Sequence, residues 1–293
     1  MLYDLAAVAA AVSIAFSNLI APQAIRHLGP IVFNCWRLAA VLLALLGIVA
    51  VRGGWSWPSS GQMQALAASS VLGIVTADSC FYAAMARLGP RRTSVLYTSW
   101  AVFAALLGYA VLGETLSWVK VAGIGCVVGG VWLAILFRGG KPMGGEEPHG
   151  SLAAGVVFGL LSAVGAAGAG LISRRVMVQG LDPAMATIIR ASVALPGLLL
   201  LSRLPGFRQP SPMTAAIALR SAASGLLGMG VGMTLILFAL SGQGVGIVST
   251  LSSTTPVVIL PLLWVTTGVR PAPLAWLGAA CAVIGAAAIA SGY

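Results

Sequence analysis

Residues 28–37, Leu28-Gly29-Pro30-Ile31-Val32-Phe33-Asn34-Cys35-Trp36-Arg37, return in outline at residues 181–190, Leu181-Asp182-Pro183-Ala184-Met185-Ala186-Thr187-Ile188-Ile189-Arg190. In each stretch a Leu-x-Pro turn opens an apolar run, and an arginine follows seven residues after the proline. The two arginines lie 153 positions apart. At a spacing of 155, Ala84, Gly89, Ser94, Leu96, Gly113, Gly123, Cys126, Val128 and Gly130 match Ala239, Gly244, Ser249, Leu251, Gly268, Gly278, Cys281, Val283 and Gly285. Each match alone carries little weight in so Ala-, Gly- and Leu-rich a chain. Their common order and near-constant spacing point to an internal repeat.

The chain around this repeat is too apolar for water. Of 293 residues, 59% are hydrophobic and 8% charged, against about 25% charged in a soluble domain. A membrane-spanning helix needs about 20 apolar residues. Ten stretches qualify: 4–24, 31–51, 66–86, 92–112, 117–137, 151–173, 183–202, 216–240, 245–266 and 272–291. Turn chemistry separates them, as at Gly53-Gly54 and Arg270-Pro271, and Trp55, Trp57, Trp118 and Trp276 stand near their ends as interfacial anchors. The first stretch starts almost at Met1 with no basic leader, which reads as a retained helix and not a signal peptide. The expected fold is an all-α integral membrane protein of ten transmembrane helices. Residues 1–138 form the first five-helix repeat, 139–150 a connecting loop and 151–293 the second repeat. Five is odd, so the second repeat enters the membrane upside down relative to the first. Inverted repeats are a transporter architecture, with the substrate site near the midplane between the halves and access alternating as they rock.

On these residues the chain resembles the drug/metabolite transporter superfamily, in particular its EamA-type ten-helix members, with kinship to exporters of aromatic amino acids. The resemblance is carried by Arg37 and Arg190, by Pro256 in the ninth span, by Leu112-Gly113-Glu114 closing the fourth, and by Gly123, Gly125, Gly129, Gly130, Gly278 and Gly285 in the fifth and tenth. It implies a cavity lined by the first four helices of each half, with the fifth and tenth at the periphery. Two positions depart from the repeat: Ala101 stands opposite Pro256, and Val269 opposite Glu114. A helix break and a terminal carboxylate are therefore expected in one half only.

Charged groups inside a membrane need a partner, a wet cavity, or both. Arg37, Asp78 and Arg190 are the clear cases. The arginines suit recognition of an anionic group through the planar guanidinium fork, or equally snorkelling and gating. Asp78 reads as a proton carrier or as the counter-charge of Arg37. Tyr82 shares a helix face with Asp78, and Tyr97 and Trp100 follow on the next span; such aromatics line a pocket or simply pack. Pro256 cannot donate a backbone hydrogen bond, which leaves the Ser252 carbonyl free; the hydroxyls before it, among them Ser253 and Thr254, suit either a polar cavity wall or a kink. Asn34 is a further candidate for the cavity. The glycine pairs Gly155/Gly159, Gly125/Gly129 and Gly228/Gly232 are expected at close helix crossings.

No phosphate-binding loop, metal-ligand cluster or Gly-x-Ser-x-Gly nucleophile is present, so no cofactor, no metal, no ATPase subunit and no enzymatic activity are expected. The net charge of +10 lies in scattered cations flanking apolar runs, without the basic face of a nucleic-acid binder. Ten of them (Arg26, Arg87, Arg91, Arg92, Arg138, Lys141, Arg203, Arg208, Arg220 and Arg270) fall on one side and Arg52, Lys120, Arg174 and Arg175 on the other. That balance puts the termini outside, whereas the resemblance puts them in the cytoplasm. The expected protein is a multi-pass secondary transporter of the cell inner membrane, monomeric or homodimeric. It moves a small organic metabolite through the bilayer, with amino acid export leading, and efflux of cationic drugs or a non-transporting scaffold as alternatives.

Overall fold

The computed structural model describes residues 1–53, 55–112, 117–136, 151–204, 212–268 and 270–291. Those residues form ten helical spans, numbered here along the chain: Leu2–Leu28, Pro30–Arg52, 60–88, 90–112, Trp118–Leu136, Leu152–Met177, Pro183–Ser202, Ala215–Gly242, 245–267 and Pro273–Ser291. Glu114 and Val269 lie outside the described residues, as do Arg138, Lys141, Arg208 and the loop expected at 139–150.

The turns follow from local chemistry. Gly29 and Gly89 precede Pro30 and Pro90 with φ of 78° and 79°, a region that glycine enters without steric cost. Each proline then starts the next helix where its missing N–H is not needed. In the second half Asp182 does this work differently: its carboxylate accepts from the N–H groups of Ala184 at 2.9 Å and Met185 at 3.0 Å, capping the helix that Pro183 begins.

The repeat is carried into geometry. Spans three and eight each contain a π-helical segment, Val71–Asp78 and Leu226–Met233, at equivalent positions 155 apart. Spans four and nine are each broken. At Thr98 the backbone N–H reaches Val95 O at 3.1 Å and the side-chain hydroxyl reaches the same carbonyl at 2.6 Å. At Ser253 and Thr254 the N–H groups reach Thr250 O at 3.0 Å and Leu251 O at 3.3 Å. The break expected in one half therefore occurs in both. It does not need the proline, because i→i−3 bonding and a back-bonded hydroxyl tighten the turn in either half.

Spans five and ten pack at glycines. A Cβ at Gly123 would stand 2.6 Å from the Gly285 carbonyl, and one at Gly130 would stand 2.5 Å from that of Gly278. Gly125 and Gly129 meet nothing within 4 Å. The close crossing thus uses the seven-residue spacing 123/130 and not the pair expected at 125/129, which turns outward with Trp132. Gly155 against Leu88, Gly159 against Leu96, and Gly228 and Gly232 against span one do pack closely. Arg91, Arg92 and Lys120, read from the sequence as membrane-flanking, are buried among the helices.

Candidate functional site

Eight spans surround a cavity, one to four from the first repeat and six to nine from the second; no described residue of spans five or ten lines it. The space, including its opening, is about 1070 Å³. Among the described residues its charged lining consists of two cations and one anion: Arg37, Arg190 and Asp78.

Each arginine leaves its own repeat and lies over a glycine of the other. Arg190 Nη2 passes 2.9 Å from where a Cβ would stand on Gly73, and Arg37 Nη2 passes 3.1 Å from that place on Gly228. Gly73 and Gly228 sit in the two π-helical segments, 155 positions apart. Any side chain there would displace a guanidinium, so the repeat supplies two matched slots. The backbone at the arginines is held alike: the Ser70 hydroxyl donates to Arg190 O at 2.5 Å, and Gly225, its counterpart at the same spacing, abuts the Arg37 carbonyl. Ser17 and Ser224, bonded at 2.9 Å, join spans one and eight beside Arg37.

The symmetry stops at the charges. Arg37 Nη1 donates to Asp78 Oδ2 at 3.1 Å and to Asn34 Oδ1 at 3.4 Å, and its guanidinium lies 5.0 Å from the Tyr82 ring centre. Asp78 ends the π-helical segment of span three; the equivalent residue of span eight is Met233. Arg190 consequently has no carboxylate of its own. It is 3% exposed; its Nε, like that of Arg37, is buried without a partner, and unlike Arg37 its Nη atoms make no hydrogen bond to any described residue.

One wall is aromatic. Tyr97 and Trp100 stack with centroids 6.0 Å apart at 19°, and Phe81 meets Tyr97 edge-on at 5.1 Å. Trp100 Nε1 donates to Ser253 Oγ at 3.2 Å, tying the break of span four's repeat to that of span nine. The Ser252 carbonyl, expected free above Pro256, accepts the Thr255 hydroxyl at 2.8 Å. Ser253 and Thr254 likewise return their hydroxyls to Ser249 O at 2.6 Å and Leu251 O at 2.7 Å. Ser252 Oγ is the exception in this run, buried on the cavity wall without a partner.

Of the residues singled out from sequence, Arg37, Asp78, Tyr82, Tyr97, Trp100, Arg190, Ser253 and Pro256 line this one cavity. Asn34 and Thr254 do not. Asn34 is fully buried behind Arg37, its amide donating to Ile74 O at 3.5 Å, and Thr254 bonds back to its own helix. Gly73 and Ser70 escaped the sequence reading, while Gly228 was read only as a helix-crossing glycine and Ser252 only as part of the hydroxyl run before Pro256. Gly73 was within reach, since the repeat spacing of 155 pairs it with Gly228.

On the side holding the chain termini, a buried apolar core draws on spans one, three, four, six, seven, eight and nine. There Gln243 Nε2 donates to Asp4 Oδ1 at 2.9 Å and Gln62 Nε2 to Gln179 Oε1 at 3.0 Å, linking the repeats.

Ten apolar helices in two inverted repeats, closing on a charged and aromatic cavity, define a membrane transporter of small molecules. The EamA-like transporter family model matches residues 1–136 and 153–291, and the chain belongs to that family. A crystal structure of another protein superposes with a TM-score of 0.71 over 98% of this chain and 95% of its own, at 18% sequence identity, and shares the fold. No curated protein matches the sequence.

Proposed function

We propose that this transporter exports amino acids or related amphipathic metabolites across the cell inner membrane, by alternating access of the central cavity. The observation that carries this reading is the cavity's composition: ionic groups of both signs stand opposite an aromatic wall, at the junction of the two repeats. A zwitterion with an apolar side chain matches such a lining, because each charge finds an opposite and the remainder finds an apolar face. Efflux of cationic drugs fits less well, since the cavity's cations outnumber its anion.

Arg37, Asp78 and Arg190 would supply the charges, Tyr82, Tyr97 and Trp100 the apolar face, and Ser252 and Ser253 the hydroxyl edge. Asp78 is the candidate for proton coupling. The breaks at Thr98 and Ser253, with Pro256 heading the second half of span nine, are the candidate hinges. Residues 1–138 and 151–293 would move against each other, releasing the polar links between Asp4 and Gln243 and between Gln62 and Gln179 on one side.

The test is counterflow in proteoliposomes preloaded with unlabelled amino acids, nucleosides or quaternary amines, with and without a pH gradient. Accumulation of labelled amino acid driven by internal amino acid is the expected result. Counterflow with quaternary amines alone would replace this reading with cation efflux.

A further inference from the structure

The two arginines occupy equivalent places in the inverted repeats, yet only one has a partner. Arg37 is neutralised within its own repeat by Asp78 at 3.1 Å, with Asn34 as a second acceptor. At the equivalent of Asp78 the second repeat has Met233, which accepts nothing comparable. Arg190 therefore projects a guanidinium with no hydrogen-bond acceptor among the described residues, while being 3% exposed. Asp78 lies within electrostatic range of Arg190 as well as Arg37, but it is one carboxylate for two cations. A buried charge without a hydrogen-bonding partner is costly. No described residue supplies that partner.

Three features of the place argue for a ligand and against mere packing. Arg190 lines the cavity, and its Nη2 is received by the glycine slot at Gly73, so the head is positioned and not adrift. The stacked Tyr97 and Trp100 line the same cavity. Ser252 adds an unpartnered hydroxyl to its wall. One guanidinium without a counter-charge, near a flat aromatic pair, is matched by a monoanionic group on a molecule with an apolar body.

We propose that the cavity recognises the carboxylate of its substrate through Arg190, while Arg37, its repeat counterpart, is a fixed element of the scaffold held by Asp78. The two arginines differ because one repeat has a carboxylate at this place and the other a methionine. The substrate class is then a small organic carboxylate, and the site ranks ligands by the presence of that group before any ammonium. This rests on the reading of the protein as a transporter of amphipathic metabolites, and it names the group that such a substrate must carry.

The experiment is isothermal titration of the purified full-length protein in detergent with three probes: 3-phenylpropionate, with a carboxylate only; phenethylamine, with an ammonium only; and L-phenylalanine, with both. The expected result is that the wild type binds 3-phenylpropionate and L-phenylalanine, and binds phenethylamine at least about tenfold more weakly, as loss of one charged hydrogen-bonding partner dictates. Arg190→Gln should lose about tenfold or more for both carboxylate probes. Arg190→Lys, which keeps the charge but not the fork, should fall between, with melting curves showing that both variants are folded. The inference is overturned if phenethylamine binds as tightly as 3-phenylpropionate, if folded Arg190→Gln keeps its carboxylate affinity, or if no carboxylate probe binds the wild type. Binding of 3-phenylpropionate without L-phenylalanine would uphold the Arg190 site and remove amino acids as the substrates.

Discussion

Replacing Gly73 with alanine tests the slot that holds Arg190. The new Cβ would stand 2.8 Å from Ala169 Cβ and 2.9 Å from Arg190 Nη2, where carbon contacts settle at about 3.5–4.0 Å. Arg190 can swing aside, but the Ala169 methyl is fixed to the backbone of span six. Spans three and six must therefore separate by about 0.7 Å or more. Overpacking of this kind costs about 1–3 kcal/mol, and the helical preference for alanine over glycine returns about 0.5–1 kcal/mol, leaving a net loss of up to about 2.5 kcal/mol. Gly228→Ala meets the equivalent crowding at Arg37, with Ser17 Oγ at 2.5 Å and Nη2 at 3.1 Å. Gly125→Ala meets nothing within 4 Å and serves as the control on an outward face. Thermal unfolding in detergent should rank the three: midpoints fall for Gly73→Ala and Gly228→Ala, and stay level or rise for Gly125→Ala. Gly73→Ala should in addition weaken binding of any ligand that uses Arg190. A Gly73→Ala protein with the wild-type midpoint and wild-type affinity would refute the slot.

Among the described residues Asp78 is the one carboxylate in the cavity lining, and Asp78→Asn removes it; transport should lose its dependence on a pH gradient, and retention of that dependence assigns the proton elsewhere. Pro256→Ala should leave ligand affinity nearly unchanged and slow turnover, because the break at Ser253 forms through hydroxyl and i→i−3 bonds that persist without the proline; a selective loss of affinity in titration would instead give Pro256 a binding role. Ser252→Ala removes a buried hydroxyl that has no partner, so stability should hold or rise slightly while substrate affinity falls by the value of one hydrogen bond, about 0.5–1.5 kcal/mol; unchanged affinity would mean that the hydroxyl does not face the substrate.

Much of the fold was legible because its signals are local. Apolar runs, Leu-Gly-Pro turns and repeat spacing each reside within short stretches, and a membrane leaves helices as the natural response to such runs. The candidate cavity was legible in part for a related reason. Charges are so costly in a bilayer that Arg37, Asp78 and Arg190 identify themselves. Asn34 and Thr254 were drawn from the same polar stretches, but a polar side chain can satisfy itself against its own or a neighbouring helix, and both do so. The break at Thr98 has no proline to mark it, and a threonine hydroxyl bonding three residues back leaves no distinctive pattern in the sequence.

The sequence by itself determined that the chain spans a membrane ten times, in two inverted repeats with three ionisable groups at depth, since hydrophobicity, turn residues and spacing act along the chain. Only the tertiary structure decided which arginine is paired, which glycines meet a neighbour and which hydroxyl is left over. Those outcomes depend on the direction of side chains across helix interfaces between residues distant in the chain, 41 positions apart for Arg37 and Asp78 and more than a hundred where Arg190 crosses Gly73 and Trp100 reaches Ser253. A one-residue change of facing would exchange Gly123 for its neighbours at the crossing, and composition is indifferent to that choice.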